Sequence, residues 1–191
     1  SRLAAVKKEA GAEMLELDGV SVPLGGESGP AAFSEDSRHF GRADGKKVIV
    51  DGHGYPFAEE VSRLAISNSG LPLWMVKHGG YPSGFTFYRA GRKIGTFPSF
   101  VGFNGGGRWA GFSPSGARSA FLVPASGPAT AIVDDGTKIP GLPQNYSDSA
   151  PVFDGEDGFH YVGSLDGKLV LVCVSLGSVP AARSACARRA R

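Results

Sequence analysis

Cysteine, long apolar runs and an excess of either charge are what this sequence has least of. Two cysteines occur in 191 residues. Cys173 lies inside the apolar run Leu169–Val174 and reads as a small buried hydrophobe, whereas Cys186 sits in the C-terminal tail. A disulfide between them is allowed by number alone, so cysteine usage leaves the redox compartment open. No apolar run approaches the roughly 18 residues that a bilayer-spanning helix needs. The sequence begins without Met and without a signal-peptide apolar region, as either a mature chain or an excised piece would. Net charge is only +2, and the basic excess is local: Arg183, Arg188, Arg189 and Arg191 fall in the last nine residues with no acid among them. The remainder is close to neutral, which argues against a large nucleic-acid footprint.

Catalytic and ligand motifs are missing as well. The nearest approach to the G-x-S-x-G elbow of serine hydrolases is Gly111-Phe112-Ser113-Pro114-Ser115, with serine where the last glycine belongs and no helical pattern beside it. Asn104-Gly105-Gly106-Gly107-Arg108 has the glycines of a phosphate loop but no Lys-Ser/Thr. His39, His53, His78 and His160 are far apart and none has a helical i,i+4 partner, so packing is the expected role of each. His39 and His160 are expected to hold the same place in two copies of a repeat. Asp154-Gly155-Glu156-Asp157-Gly158 is rich in carboxylates but lacks the calcium-loop pattern and reads as a turn. No metal, no cofactor and no enzymatic activity are expected.

What the sequence does have is glycine and proline, 29 and 13 residues, without a collagen period. With 41% hydrophobic and 20% charged residues, this is a globular chain of short strands and many turns. The turns repeat. Phe33-Ser34-Glu35-Asp36-Ser37, Ile66-Ser67-Asn68-Ser69-Gly70, Phe112-Ser113-Pro114-Ser115-Gly116 and Phe153-Asp154-Gly155-Glu156-Asp157-Gly158 each place an apolar residue before a small polar one and then turn formers. The chemistry is that of a type I turn closed by a left-handed residue. Spacings between the apolar residues are 33, 46 and 41, which bracket a repeat of about 40 residues.

Naming the strands of the unit a to d, each a–b turn leads into an apolar strand b, for example Leu73–Val76 or Ala120–Val123. Strand c follows, as in Lys46–Val50 or Lys168–Val172, and Asp51-Gly52 and Asp135-Gly136 close it. Thr96–Phe103 is expected to supply a strand d. The N-terminus enters the pattern at strand b, with Leu3–Val6 and Met14–Gly19 read as strands b and c in preference to a helix over Arg2–Glu16. The final copy ends after strand c. Ala181–Arg191, following Pro180, is the better helix candidate.

Phe112-Ser113-Pro114-Ser115-Gly116-Ala117-Arg118-Ser119-Ala120-Phe121, with Ile132-Val133-Asp134-Asp135-Gly136 after it, resembles the F-S-P-D-G box and following strand of WD40-like (PD40) β-propeller repeats. Such repeats build the TolB-type and prolyl-oligopeptidase-type propeller domains. The resemblance implies an all-β fold of four-stranded antiparallel blades and an extracytoplasmic setting. It covers roughly residues 2–174 and carries no catalytic residue across. At about 40 residues per blade the chain holds four to five blades. Residues 1–177 form the blades, the first incomplete, and 178–191 a basic tail. A five-bladed ring and an open segment of a larger ring are both compatible, and the segment is favoured.

A propeller presents ligand-binding loops at its ends. Tyr55, Tyr81, Arg108 and Trp109 are the expected binding candidates, read as loop or strand-start residues exposed on that face, since Tyr, Trp and Arg supply most interface hot spots. The function expected is that of a non-catalytic scaffold for a protein or peptide partner. The alternative is the substrate-gating propeller of a serine peptidase whose catalytic domain lies elsewhere. Self-association through exposed blade faces is expected if the ring is incomplete.

Overall fold

Alternating Gly/Pro-rich turns and β-branched or aromatic runs leave the backbone one economical solution, the antiparallel meander. A computed structural model describes residues 4–9, 12–17, 20–23, 28–44, 47–56, 59–79, 84–98, 109–123, 128–145 and 149–177. Every regular element among them is a strand. The first sheet is β1 (Ala4–Glu9), β2 (Ala12–Leu17) and β3 (Val20–Pro23). The second is β4 (Ser28–Phe33), β5 (Phe40–Asp44), β6 (Lys47–Val50) and β7 (His53–Pro56). The third is β8 (Val61–Ile66), β9 (Pro72–His78), β10 (Gly84–Arg89) and β11 (Arg92–Pro98). The fourth is β12 (Ala110–Phe112), β13 (Ser119–Val123), β14 (Ala129–Val133) and β15 (Thr137–Leu142). The fifth contains β16 (Gln144–Asn145), β17 (Val152–Phe153), β18 (Gly158–Leu165) and β19 (Lys168–Ser175).

The four-stranded unit therefore forms, and strand, not helix, occupies the N-terminal stretch. Strand d of the third sheet begins at Arg92, four residues before the expected Thr96. The reason is the tight turn Ala90-Gly91, both residues left-handed at φ 47° and 86°, which returns the chain at once. The fifth sheet lacks a single strand a. β16 and β17 lie end to end along one edge of β18, pairing at Gln144↔Ser164 and Val152↔His160. The break is bridged by the Tyr161 hydroxyl, which donates to the Pro143 carbonyl at 2.7 Å, and by the Ser149 hydroxyl, which accepts from Val162 N–H at 3.0 Å. Burial pushes the Tyr161 phenol well above the ordinary tyrosine range. Residues 178–191, with Cys186 and the helix candidate, lie outside the described residues.

The chain divides into two compact units, Ser1–Thr96 and Phe97–Arg191. In the first, Ala43, Val48 and Val50 of the second sheet bury against Leu64, Ile66, Trp74 and Val76 of the third. In the second unit, Ala120, Leu122, Ala131 and Val133 of the fourth sheet bury against Phe159, Tyr161, Val172 and Val174 of the fifth. Cross-strand register makes the covered positions equivalent: Gly41↔Val50 and Ala43↔Val48 in one case, Ala120↔Val133 and Leu122↔Ala131 in the other. A sheet that is apolar on both faces can be satisfied only by stacking, and in both pairs the same face of the earlier sheet receives the later one.

The a–b turn is the most uniform element. Ser34, Ser67 and Ser113 are all buried. Each N–H donates to the carbonyl five or four residues on, His39, Leu71 and Arg118, and each hydroxyl accepts the N–H of that same residue. Ser37, Gly70 and Gly116 close the three turns with φ of 58°, 78° and 74°. Serine is required because one side chain must both fit beneath the turn and satisfy a buried donor. Ser113 is thus a turn former with its hydroxyl committed.

Neighbouring turns within a unit are also hydrogen-bonded. Asp36 N–H donates to Asn68 Oδ1 at 3.1 Å in the first unit. In the second, Ser115 N–H and Oγ–H donate to the two Glu156 carboxylate oxygens at 2.9 and 2.8 Å. Hydrogen bonds from the Ser113 hydroxyl, the Ser115 N–H and the Ser115 hydroxyl hold the Glu156 carboxyl below the ordinary carboxylate range. A carboxyl depressed in the folded state adds stability above its unfolded pKa and loses it as pH falls through the folded value. Glu156→Gln is therefore expected to lower Tm at neutral pH, with the difference from wild type closing below about pH 4. Thermal melts of both proteins across pH test this; a gap that stays constant into acid would refute it.

Candidate functional site

Antiparallel order sends the a–b and c–d turns to one end of each sheet and the b–c and d–a connections to the other. The first end is given over to structure. Asp51 and Asp134, left-handed at φ 49° and 48°, begin the c–d turns. Each uses one carboxylate oxygen on the N–H that starts strand b, Phe40 or Ser119, at 3.0 Å. The other oxygen meets His39 Nδ1 at 2.5 Å or Arg118 Nε at 2.7 Å. In the third sheet the residue at the head of strand b is Pro72, which has no N–H, and the turn residue is Ala90. The carboxylate disappears where its backbone donor does.

These bonds correct the expected equivalence of His39 and His160. The turn-closing bonds align His39 with Arg118 and with Gly158, because Asp154 N–H reaches Gly158 O one residue sooner than Ser113 N–H reaches Arg118 O. His160 lies two residues further on, inside β18, and its Nδ1 meets the Asp154 carboxylate at 2.8 Å.

The other end of the third sheet carries a polar chain. Glu59, in the connection before β8, meets His78 Nδ1 at 3.1 Å. His78 Nε2 is 2.6 Å from Thr86 Oγ1 on β10, which is 2.8 Å from Thr96 Oγ1 on β11. The assignment that satisfies every partner has Thr96 donating to Thr86, Thr86 to the His78 Nε2 lone pair, and His78 Nδ1–H to Glu59. A carboxylate, an imidazole and a hydroxyl in this order are the parts of a nucleophilic relay. Thr86 is only 1% exposed, however, so its oxygen is closed to a substrate. The chain is a brace that ties the d–a connection across strands b, c and d. Burial, and then the Glu59 carboxylate, raise the phenol of nearby Tyr88. Sequence reasoning missed this set: nothing in the spacing of Glu59, His78 and Thr86 joins them until the pairing Val76↔Thr86 and Gly84↔His78 is known. Among the described residues no group of three or more His, Cys, Asp or Glu is placed to hold a metal ion.

The four binding candidates separate. Tyr55, on β7, is half-buried, its ring 6.2 Å from that of Trp74 and 4.7 Å, edge-on, from His53. Trp109 is not exposed as expected: it is buried at 6%, with its ring 6.2 Å from Phe121. Its place just before β12 puts it where strand a enters the core, and an indole there gains more from apolar contact than from water. Tyr81, between β9 and β10, and Arg108, before β12, lie outside the described residues. Tyr81 falls by sequence in the b–c connection that follows His78.

No protein-family model matches the sequence, and no curated protein does. Solved structures do. A eukaryotic initiation factor superposes with TM-score 0.54 at 12% identity over 95% of this chain and 51% of its own. The tricorn protease, a propeller-type structure, gives 0.50 at 11% identity over 94% of this chain and 25% of its own. The fold is a β-propeller. A putative TolB from Agrobacterium tumefaciens is also similar, with TM-score 0.45 and 16% identity over 86% of this chain and 63% of its own. The chain thus spans less than two thirds of the length of these propeller-type relatives, and at such identities the likeness concerns the fold. The sheets are its blades, and the second, third and fourth are complete meanders with strand a first. No helix among the described residues is long and apolar enough to cross a membrane.

Proposed function

We propose that the chain is a non-catalytic propeller scaffold that binds a protein or peptide partner at the end bearing the b–c and d–a connections. The observation that carries this reading is the Glu59–His78–Thr86–Thr96 brace. It fixes the base of two connections in the third blade, and a pre-ordered base lowers the entropy cost of binding through the loops above it. Tyr81 and Arg108 are the proposed contact residues, an aromatic and a guanidinium of the kind that anchor interfaces.

A displayed library of helical and extended peptides, panned against the full chain, tests this. Enriched peptides should bind, and Tyr81→Ala with Arg108→Ala should weaken them by about tenfold or more while the melting curve is unchanged. No enrichment, or binding indifferent to both changes, would sink the proposal. The second reading, a substrate-gating propeller of a serine peptidase, is favoured by the likeness to part of the tricorn protease. It requires a G-x-S-x-G segment with Asp and His in the same reading frame outside these residues.

A further inference from the structure

We infer that two copies of this chain associate through the outer face of their fifth blades, sheet against sheet. Among the described residues every exposed large hydrophobic side chain lies in this blade: Val152, Val162, Leu165, Leu169 and Leu171. The register puts four of them on one face, since Val162 pairs with Leu171, Leu169 with Ser164 two residues beyond Val162, and Val152 with His160 two residues before it. They run corner to corner across the sheet, from strand a through strand b to strand c. The other face, with Phe159, Tyr161, Val172 and Val174, is buried against the fourth blade. At 38% to 61% exposure the four form an aliphatic stripe of the kind that marks an interaction surface.

A further blade is the wrong shape for this face. The turn-closing bonds and strand pairing align Val152 with Ala32 and Gly111, and His160 with Gly41 and Ala120. In the second and fourth blades these small residues are where the next blade comes closest: a Cβ at Gly41 would meet Ile66 Cδ1 of the third blade, and one at Gly111 the Pro151 carbonyl oxygen beside β17. Valine and histidine in those two places hold a blade off at that spacing.

A second copy suits the stripe. Val152, Val162, Leu169 and Leu171 include no charge and no Tyr, Trp or Arg, the residues that anchor contacts between unrelated proteins. Aliphatic and uncharged surface is the composition of homodimer interfaces, which resemble a core cut in two. The stripe is also self-complementary. A two-fold axis in the plane of contact, along the line from Val152 to Leu169, lays one stripe on the other with Val162 against Val162 of the second copy. Such a contact closes on itself and leaves no stripe exposed. It uses the face of the blade and not the outer edge of β19.

Sedimentation velocity of the full chain over a wide concentration range should show a monomer–dimer equilibrium. Val162→Lys should weaken it by about tenfold or more, because two-fold symmetry sets the two new charges against each other. Leu169→Lys, at the most exposed of the four positions, should also weaken it and leave the melting curve intact. Leu165→Lys, on the other face of the same hairpin, should leave it unchanged. A monomer at every concentration would overturn the proposal. So would a dimer indifferent to Leu169→Lys, or one that Leu165→Lys weakens as much, which would place the contact at the hairpin tip and not on the face.

Discussion

Trp74→Ala is expected to destabilise the first unit by about 3–5 kcal/mol, the range for deleting a buried aromatic. Trp74 is fully buried on β9. Its ring stacks on Tyr88 at 5.5 Å and 11°, and Tyr55 of the preceding blade closes over it. It thus touches both sides of a blade interface, and alanine would leave a cavity that rigid sheets collapse poorly into. A unit of this size is stable by roughly 0.05–0.15 kcal/mol per residue, so the loss is a large share of the whole. Trp74→Phe keeps a ring against Tyr88 and should lose no more than about 2 kcal/mol. Urea denaturation followed by far-UV circular dichroism measures both. A loss below about 1 kcal/mol for Trp74→Ala would show that the interface does not depend on this ring.

The same interface shows what could be read without coordinates. The apolar-Ser-x-x turn was legible because its causes are local: serine bonds its own loop, and a left-handed residue ends it. Strands b and c were legible because burial on both faces demands continuous apolar runs such as Leu73–Val76. The split of strand a into β16 and β17 was not, because it depends on Tyr161 reaching Pro143 across the sheet. That His39 and His160 are not equivalent is visible only once Asp154 N–H is seen to bond Gly158 O, which puts His160 two residues past the place of His39. The candidate site was legible as a loop end and no further. Trp109 has the composition of a surface anchor and the position of a core residue, and only the entry of strand a into the core decides between them. The Glu59–His78 brace joins residues far apart in sequence, which no local pattern reports.

Gly111→Ala is the second large expected effect, and it tests blade spacing directly. A Cβ at Gly111 would lie 2.1 Å from the Pro151 carbonyl oxygen and 2.9 Å from its carbon. Those are backbone atoms on the approach to β17 and cannot rotate aside, so the two strands must separate. Overpacking of this kind costs about 1–3 kcal/mol, and a backbone obstacle puts it at the upper end or above. Gly41→Ala meets Ile66 Cδ1 at 2.6 Å and Val50 Cγ2 at 2.9 Å, side-chain atoms that can shift in part, and the Ile49 carbonyl oxygen at 3.0 Å, a far looser backbone contact than the one at Gly111. It should cost about half as much. Gly155→Ala has nothing within 4 Å and should be neutral within about 0.5 kcal/mol. The order Gly111, Gly41, Gly155 in urea midpoints, with Gly111→Ala losing most, is the expected result; equal losses at Gly111 and Gly155 would show that blade spacing does not set the requirement for glycine. Because Trp109 lies two residues before Gly111, at the entry to β12, forcing β12 away from β17 should also loosen the indole, read as a red shift of its emission. The spacing of the blades and the seating of the loop end are then one property, set by the absence of a single methyl group.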